Sequence, residues 1–208
     1  MKVLLVNGSP HQDGCTHTAL RQLARGLEEQ GIETVEQWIG TAPIKGCCAC
    51  GNCRKTKRCD FGSDDGVNEM IERMQGCDGL VLGSPVHFAG ITGALKCLLD
   101  RAFFAAGTTF ALKPAACLVS ARRAGTTAAL EQLQKFPQFA QMPLVSSFYW
   151  PMVHGRMADE ALLDEEGMDI CYQLGLNMAW MLRSIDAGQA AGLMPLKSDS
   201  HRMTNFVR

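Results

Sequence analysis

The amino-acid sequence predicts an α/β fold: an open, five-stranded parallel sheet in the order 2-1-3-4-5, with helices on both faces. Three observations lie behind this. Short apolar runs alternate along the chain with stretches of helical periodicity, giving five βα units. Two of the runs stop at similar turns, Gly8-Ser9-Pro10 and Gly83-Ser84-Pro85. No internal repeat or linker divides the 208 residues, a length that suits one domain with a proper core. In a sheet of this order the ligand crevice opens between the carboxyl ends of strands one and three. Three loops then meet there: Gly8–Thr16, Ser84–Gly90 and Ala121–Thr126.

The elements follow in order. Val3–Val6 forms the first strand, and a helix begins near Cys15 or Thr16 with Leu20, Leu23, Ala24 and Leu27 on one face. Gly31 stops it. Ile32–Ile39 alternates as a second strand, and residues 41–63 then form a cysteine-rich loop without periodic pattern. Ser63-Asp64-Asp65 is expected to cap a helix carrying Val67, Met70, Ile71 and Met74. Asp78–Gly83 is a buried strand, followed by a helix from about Thr92 to Phe104. Pro114–Ser120 is the fourth strand, Thr127–Phe136 the next helix, and Pro143–Phe148 the expected fifth strand. Asp164 opens a long helix with a stripe of Ile170, Leu174, Met178, Met181 and Leu182; an irregular tail is expected from about residue 186.

Composition excludes several classes of function. The formal charge is −1 with no long basic or acidic block, which argues against a nucleic-acid partner. No stretch reaches the roughly 20 apolar residues of a membrane span, and the N-terminal apolar run is too short for a signal peptide. Ten cysteines without a secretion signal point to a reducing, cytoplasmic setting.

Asn7–Thr16 (NGSPHQDGCT) reads as a phosphate-binding turn between a strand and a helix. Helix starts expose amide groups and the positive end of the helix dipole. Ser9, Thr16 and Thr18 add hydroxyls, and His11 a possible positive charge. The loop has neither the G-x-G-x-x-G fingerprint nor the Lys-Ser/Thr ending of a P-loop, so a terminal monophosphate such as that of FMN suits it better than a pyrophosphate. The plain alternative is a βα turn whose hydroxyls only cap the helix.

Five of the ten cysteines fall between Cys47 and Cys59, and Cys47, Cys50, Cys53 and Cys59 read C-x₂-C-x₂-C-x₅-C, with Cys48 left over. A single zinc needs four sulfurs at about 2.3 Å from one point, and three tight steps in succession would crowd it. In a [4Fe–4S] cube each thiolate has its own iron, so consecutive short spacings fit. Metal-free thiols, with pKa values lowered by Arg54, Lys55, Lys57 and Arg58, are a third reading. Cys77, Cys97, Cys117 and Cys171 lie in or beside apolar elements and read as buried packing residues.

Taken together, NGSP…GCT, Leu80–Arg101 (LVLGSPVHFAGITGALKCLLDR), Gly46–Cys59 (GCCACGNCRKTKRC) and Tyr149–Gly155 (YWPMVHG) resemble the flavodoxin-like NAD(P)H-dependent FMN reductases and their iron–sulfur flavoprotein branch. The likeness spans nearly the whole chain. It implies a flavodoxin-like three-layer sandwich with FMN phosphate on Ser9, His11, Cys15 and Thr16. The isoalloxazine edge would meet the backbone of Pro85, Val86, His87 and Phe88, with Gly90 allowing close approach. Ser120, Arg122 and Gly125 join the cofactor site, where the arginines Arg122 and Arg123 would bound the ring or help hold an anionic nicotinamide nucleotide. Three positions depart from the family: His87 replaces a usual Tyr, Cys15 a usual Asn, and Pro151 a different residue. His87 is the catalytic candidate, against a reading as a satisfied loop histidine; Phe88 is read equally as core, and His154 as surface.

The resulting expectation is an FMN-dependent oxidoreductase. It takes a hydride from NAD(P)H and passes electrons to a quinone, flavin, nitro compound, oxygen or a cysteine-bound iron–sulfur cluster. The alternatives are an electron carrier reduced by a protein donor, and a redox- or metal-responsive interaction module. The resemblance also implies a homodimer or a dimer of dimers.

Overall fold

A computed structural model describes residues 1–61, 64–196, 198, 202 and 204. Five parallel strands, β1 (Lys2–Asn7), β2 (Glu33–Trp38), β3 (Gly79–Pro85), β4 (Ala115–Ala121) and β5 (Met152–His154), form one sheet in the order β2-β1-β3-β4-β5. The helices are α1 (Cys15–Glu28), α2 (Cys53–Thr56), α3 (Val67–Gln75), α4 (Gly93–Ala106), α5 (Thr126–Phe139), α6 (Ala158–Leu162) and α7 (Glu165–Ala190). The expected flavodoxin-like topology is what the chain adopts. Among the described residues no helix is long and apolar enough to cross a membrane.

Successive residues of a strand point to opposite faces, and the core divides accordingly. Leu4, Val6, Leu80, Leu82, Cys117 and Val119 pack on one side against α3, α4 and α5. Val3, Leu5, Val81, Ala116 and Leu118 pack on the other against α1 and α7. Register pairs Asn7 with both Trp38 and Gly83, and Pro85 with Ser120, so the carboxyl ends of four strands share one edge.

Helices α1 and α7 approach at backbone distance. A Cβ on Gly175 would stand 2.2 Å from the Leu23 carbonyl oxygen, and one on Gly26 would stand 2.5 Å from that of Tyr172. Only glycine permits this crossing.

Four local expectations need correction. The fifth strand is not Pro143–Phe148. Leu144 makes one isolated bridge to Ala115, the chain then loops out through exposed Phe148, Tyr149 and Trp150, and pairing resumes at Met152 opposite Val119. Ser147 explains part of the detour, donating its hydroxyl to the Ile170 carbonyl at 2.8 Å instead of facing the ladder. Helix α3 takes Gly66 as its N-cap with no side-chain cap bond, while Asp65 turns to Arg101; Ser63 lies outside the described residues. Helix α5 continues through Pro137 to Phe139. The last helix runs past 186 to Ala190, where Gly192, at φ +83°, closes it with bonds from Leu193 N–H to Gly188 and from Gly192 N–H to Gln189.

The crossing generates a paired test. Gly175→Ala should lower the unfolding free energy by about 3 kcal/mol through overpacking. Gly188→Ala, on the same helix, meets its nearest atom at 3.7 Å and should raise that free energy by roughly 0.5–1 kcal/mol. Urea unfolding monitored by circular dichroism compares the two midpoints.

Candidate flavin site and cysteine loop

The carboxyl ends of the strands carry polar residues that the sheet interior has no place for, and these build a cleft of about 650 Å³, within the usual size of a cofactor site. The first loop forms its floor. Ser9 N–H donates to Asn7 Oδ1 at 3.1 Å, His11 N–H donates to Ser9 Oγ at 3.0 Å, and Trp38 Nε1 donates to the Ser9 carbonyl at 2.7 Å. Asn7 Nδ2 bridges the Gln12 carbonyl and Glu36, which also accepts from or pairs with His17 Nδ1 at 2.9 Å. Helix α1 begins after Gly14 without a side-chain cap, which leaves its first-turn amides with no side-chain acceptor. That is the electrostatic setting of an anion site.

Buried hydroxyls stand beside this helix start. Thr16 Oγ1 and Ser120 Oγ are 2.8 Å apart, joining the first and third loops. Cys15 Sγ donates to the Gly155 carbonyl at 3.4 Å. Burial pushes the Cys15 thiol up from its ordinary value, with Glu160 adding to the rise against its own backbone hydrogen bond; the neutral thiol is therefore favoured there.

The second loop is a tight turn. His87 and Gly90 exchange backbone hydrogen bonds at 2.8 and 2.9 Å, and between them Phe88 and Ala89 both have positive φ, +49° and +58°. Such turns normally take glycine or asparagine, so this one carries local strain. Val86 N–H donates to the Ser120 carbonyl at 2.8 Å. The amides of Val86 and His87 are thus engaged within the protein. Gly125, at φ +93°, seats the third loop against the turn: a Cβ there would stand 2.9 Å from Ala89 Cα.

Of the residues expected in the site, Ser9, His11, Cys15, Thr16, Pro85, Val86, His87, Ser120 and Arg122 line this one cleft. Phe88, Gly90 and Gly125 do not; Gly90 and Gly125 support the turn behind the wall, and the Phe88 ring stands fully exposed. Sequence reasoning missed Trp38, Arg156 and Met157. Trp38 had a readable signal, because it closes a strand at the ligand edge. A hollow of about 800 Å³ at the opposite end of the sheet is larger, but its one buried-edge cation, Lys113, is occupied by the carbonyls of Met74, Gln75 and Cys77.

The cysteine loop packs against α4. Cys47, Cys48, Cys50, Cys53 and Cys59 all line one small closed hollow together with Phe61, Phe104 and Arg101. Cys53 and Cys59 are buried, whereas Cys47, Cys48 and Cys50 are exposed. Among the described residues, no group of three or more His, Cys, Asp or Glu side chains is arranged to hold a metal ion. Four of the five thiols around the hollow, in C-x₂-C-x₂-C-x₅-C spacing, nonetheless suit the chemistry of an iron–sulfur cluster. Cys77, Cys117 and Cys171 are buried as expected, with desolvation pushing Cys171 up to about 12, while Cys97 is half-buried.

Arg101 ties the loop down. Its side chain is fully buried, pairs with Asp65, and donates to the carbonyls of Lys45 and Phe61 and to Cys59 Sγ. Burial works against the Asp65 carboxylate, but the guanidinium and the Lys45 N–H outweigh it and hold the pKa below its ordinary 3.8.

The family profile of the NADPH-dependent FMN reductases matches residues 1–156. The chain belongs to that family. An iron-sulfur flavoprotein of Methanocaldococcus jannaschii is 28% identical over 193 residues, covering 89% of this chain and 99% of that protein. One from Methanosarcina thermophila is 31% identical over 113 residues, covering 54% and 58%. Among solved structures, RosB with bound 8-demethyl-8-formylriboflavin-5'-phosphate superposes with a TM-score of 0.68 at 14% identity, covering 100% of this chain and 94% of RosB. FerB, a flavoenzyme NAD(P)H:(acceptor) oxidoreductase from Paracoccus denitrificans, gives 0.65 at 16% identity, covering 88% and 97%. At such identities these two show the fold alone.

The depressed Asp65 pKa has a signed consequence. A carboxylate whose folded pKa lies below its unfolded value contributes stability above that unfolded value and loses it as pH falls through the folded one. Wild-type stability should therefore be flat near neutrality and decline below about pH 4. Asp65→Asn should be less stable at pH 7 and show a shallower acid decline, measured by urea unfolding at a series of pH values.

Proposed function

We propose that the cleft binds FMN, with its phosphate at the start of α1, and that the protein is an NAD(P)H-dependent flavin oxidoreductase. The observation that carries this is the uncapped α1 N-terminus flanked by the buried hydroxyls of Ser9, Thr16 and Ser120. It supplies donors for a phosphate dianion and, at the strand edge, space for an aromatic ring system. When bound, FMN supplies the redox chemistry, accepting a hydride from the nicotinamide and passing electrons to an acceptor.

The chain's own residues position and screen. Trp38 holds the phosphate loop through the Ser9 carbonyl, and the strained His87–Gly90 turn fixes one wall. Arg122 and Arg156 place positive charge at the rim, which favours an anionic nucleotide. Exposed His87 lines the same cleft and is the candidate proton donor or acceptor there.

The reading extends to a [4Fe–4S] cluster on Cys47, Cys50, Cys53 and Cys59. Support comes from the spacing, the shared hollow and the iron–sulfur flavoprotein relatives. Loading requires the exposed Cys47 and Cys50 to turn toward buried Cys53 and Cys59. The assembly is read as a cytoplasmic homodimer or dimer of dimers, with light scattering as its check.

Protein reconstituted with FMN should form a yellow complex that NADPH or NADH bleaches anaerobically; no complex would reject the reading. Slow bleaching by both nucleotides, with rapid reduction by a protein donor, would instead indicate an electron carrier. Thr16→Val should weaken FMN binding about 10- to 100-fold, the worth of one hydrogen bond to a charged group, measured by fluorescence titration. Anaerobically purified protein should contain about four iron and four sulfide per chain, and Cys59→Ser should lose most of both while retaining FMN.

A further inference from the structure

Arg101 is the largest of the fully buried side chains. It lies one helical turn beyond Cys97 on α4, beneath the cysteine loop, and every direction of its guanidinium is used there. Nη1 donates to the Lys45 carbonyl at 3.2 Å and pairs with Asp65, Nη2 donates to the Phe61 carbonyl, and Nε donates to Cys59 Sγ at 3.2 Å. The two carbonyls mark opposite ends of the loop, so one side chain fixes the span that carries all five clustered cysteines.

The contact with Cys59 has a further meaning. A guanidinium N–H directed at a cysteine sulfur favours negative charge on that sulfur. Hydrogen bonds to ligand sulfurs and the net charge nearby are among the levers that set a cluster's potential. The loop's own cations, Lys45, Arg54, Lys55, Lys57 and Arg58, are exposed, where solvent and salt screen them. Arg101 is the buried one.

We propose, resting on the iron–sulfur reading above, that Arg101 is a positioning residue for the cluster: it fixes Cys59 as a ligand and raises the cluster's reduction potential, with Asp65 moderating the rise. One-electron reduction makes the cluster one unit more negative, and the adjacent buried cation stabilises that product more than the oxidised form. Asp65, paired to the same guanidinium, contributes the opposite sign. A residue that only tied the loop ends together would have no such signed effect.

The test is a redox titration of the anaerobic holoprotein with dithionite, followed by electron paramagnetic resonance, on the wild type, Arg101→Gln, Arg101→Lys and Asp65→Asn. Arg101→Gln should shift the cluster potential downward, Asp65→Asn upward, and Arg101→Lys should fall between wild type and Arg101→Gln. Unchanged potentials, or shifts of one sign in both Arg101→Gln and Asp65→Asn, with iron and sulfide retained, overturn the proposal alone. Wild-type protein without iron and sulfide overturns the cluster reading itself. FMN content reports folding at the separate cleft; should Arg101→Gln fail that control, Asp65→Asn decides, an upward shift supporting the proposal and any other result overturning it.

Discussion

Strands β1, β3 and β4 are covered by helices on both faces, and this double burial governs where polarity can go. A lone polar side chain in such a strand costs free energy unless its hydrogen bonds are met. Polar residues are therefore displaced to the carboxyl ends: Asn7, Ser84 and Ser120 are all buried, and all are bonded. Ser84 Oγ accepts from Thr92 N–H while the Thr92 hydroxyl donates to the Gly8 carbonyl, linking the second loop to the first. The sheet's demand for an apolar interior thus produces the hydrogen-bonded rim from which the cleft is made.

The cysteine loop answers to a different constraint. It has little regular structure beyond the four-residue α2, and it is anchored by the buried Arg101–Asp65 pair, by the exposed Arg58–Glu72 pair and by the two hydrogen bonds between Asn68 and the backbone of Cys59. Breaking one partner of a buried pair is far more costly than losing a surface bridge. The two sites of the molecule therefore differ in origin: one is a by-product of sheet packing, and the other hangs on a few polar contacts made to a completed core.

This difference decides what the sequence discloses. Val3–Val6, Leu80–Leu82 and Ala116–Val119 are continuous apolar runs with no other reasonable fate, and they carry the topology and the meeting of the three loops. The fifth strand lies at the edge, is three residues long and follows a looped-out aromatic stretch, so periodicity favoured the wrong segment. Asp65 looks like any helix cap in sequence; only the tertiary position of Arg101, distant in the chain, turns it inward. Trp38 is readable as the residue that closes a strand at the ligand edge, but its bond to a backbone carbonyl, an acceptor every residue offers, is recorded by no motif. The left-handed pair at Phe88 and Ala89 is equally silent, because nothing in those residue types foretells it.

That hairpin has a consequence for how the cleft keeps its shape. Glycines would adopt the same bend at no steric cost, but they would also wander among many others. Side chains at both central positions disfavour the bend itself, so it is held by the paired His87 and Gly90 backbones and by Gly125 packed against Ala89 rather than by local preference. The fold tolerates a locally unfavourable backbone because the contacts around it over-determine its shape, and loosening any of them would release the bend.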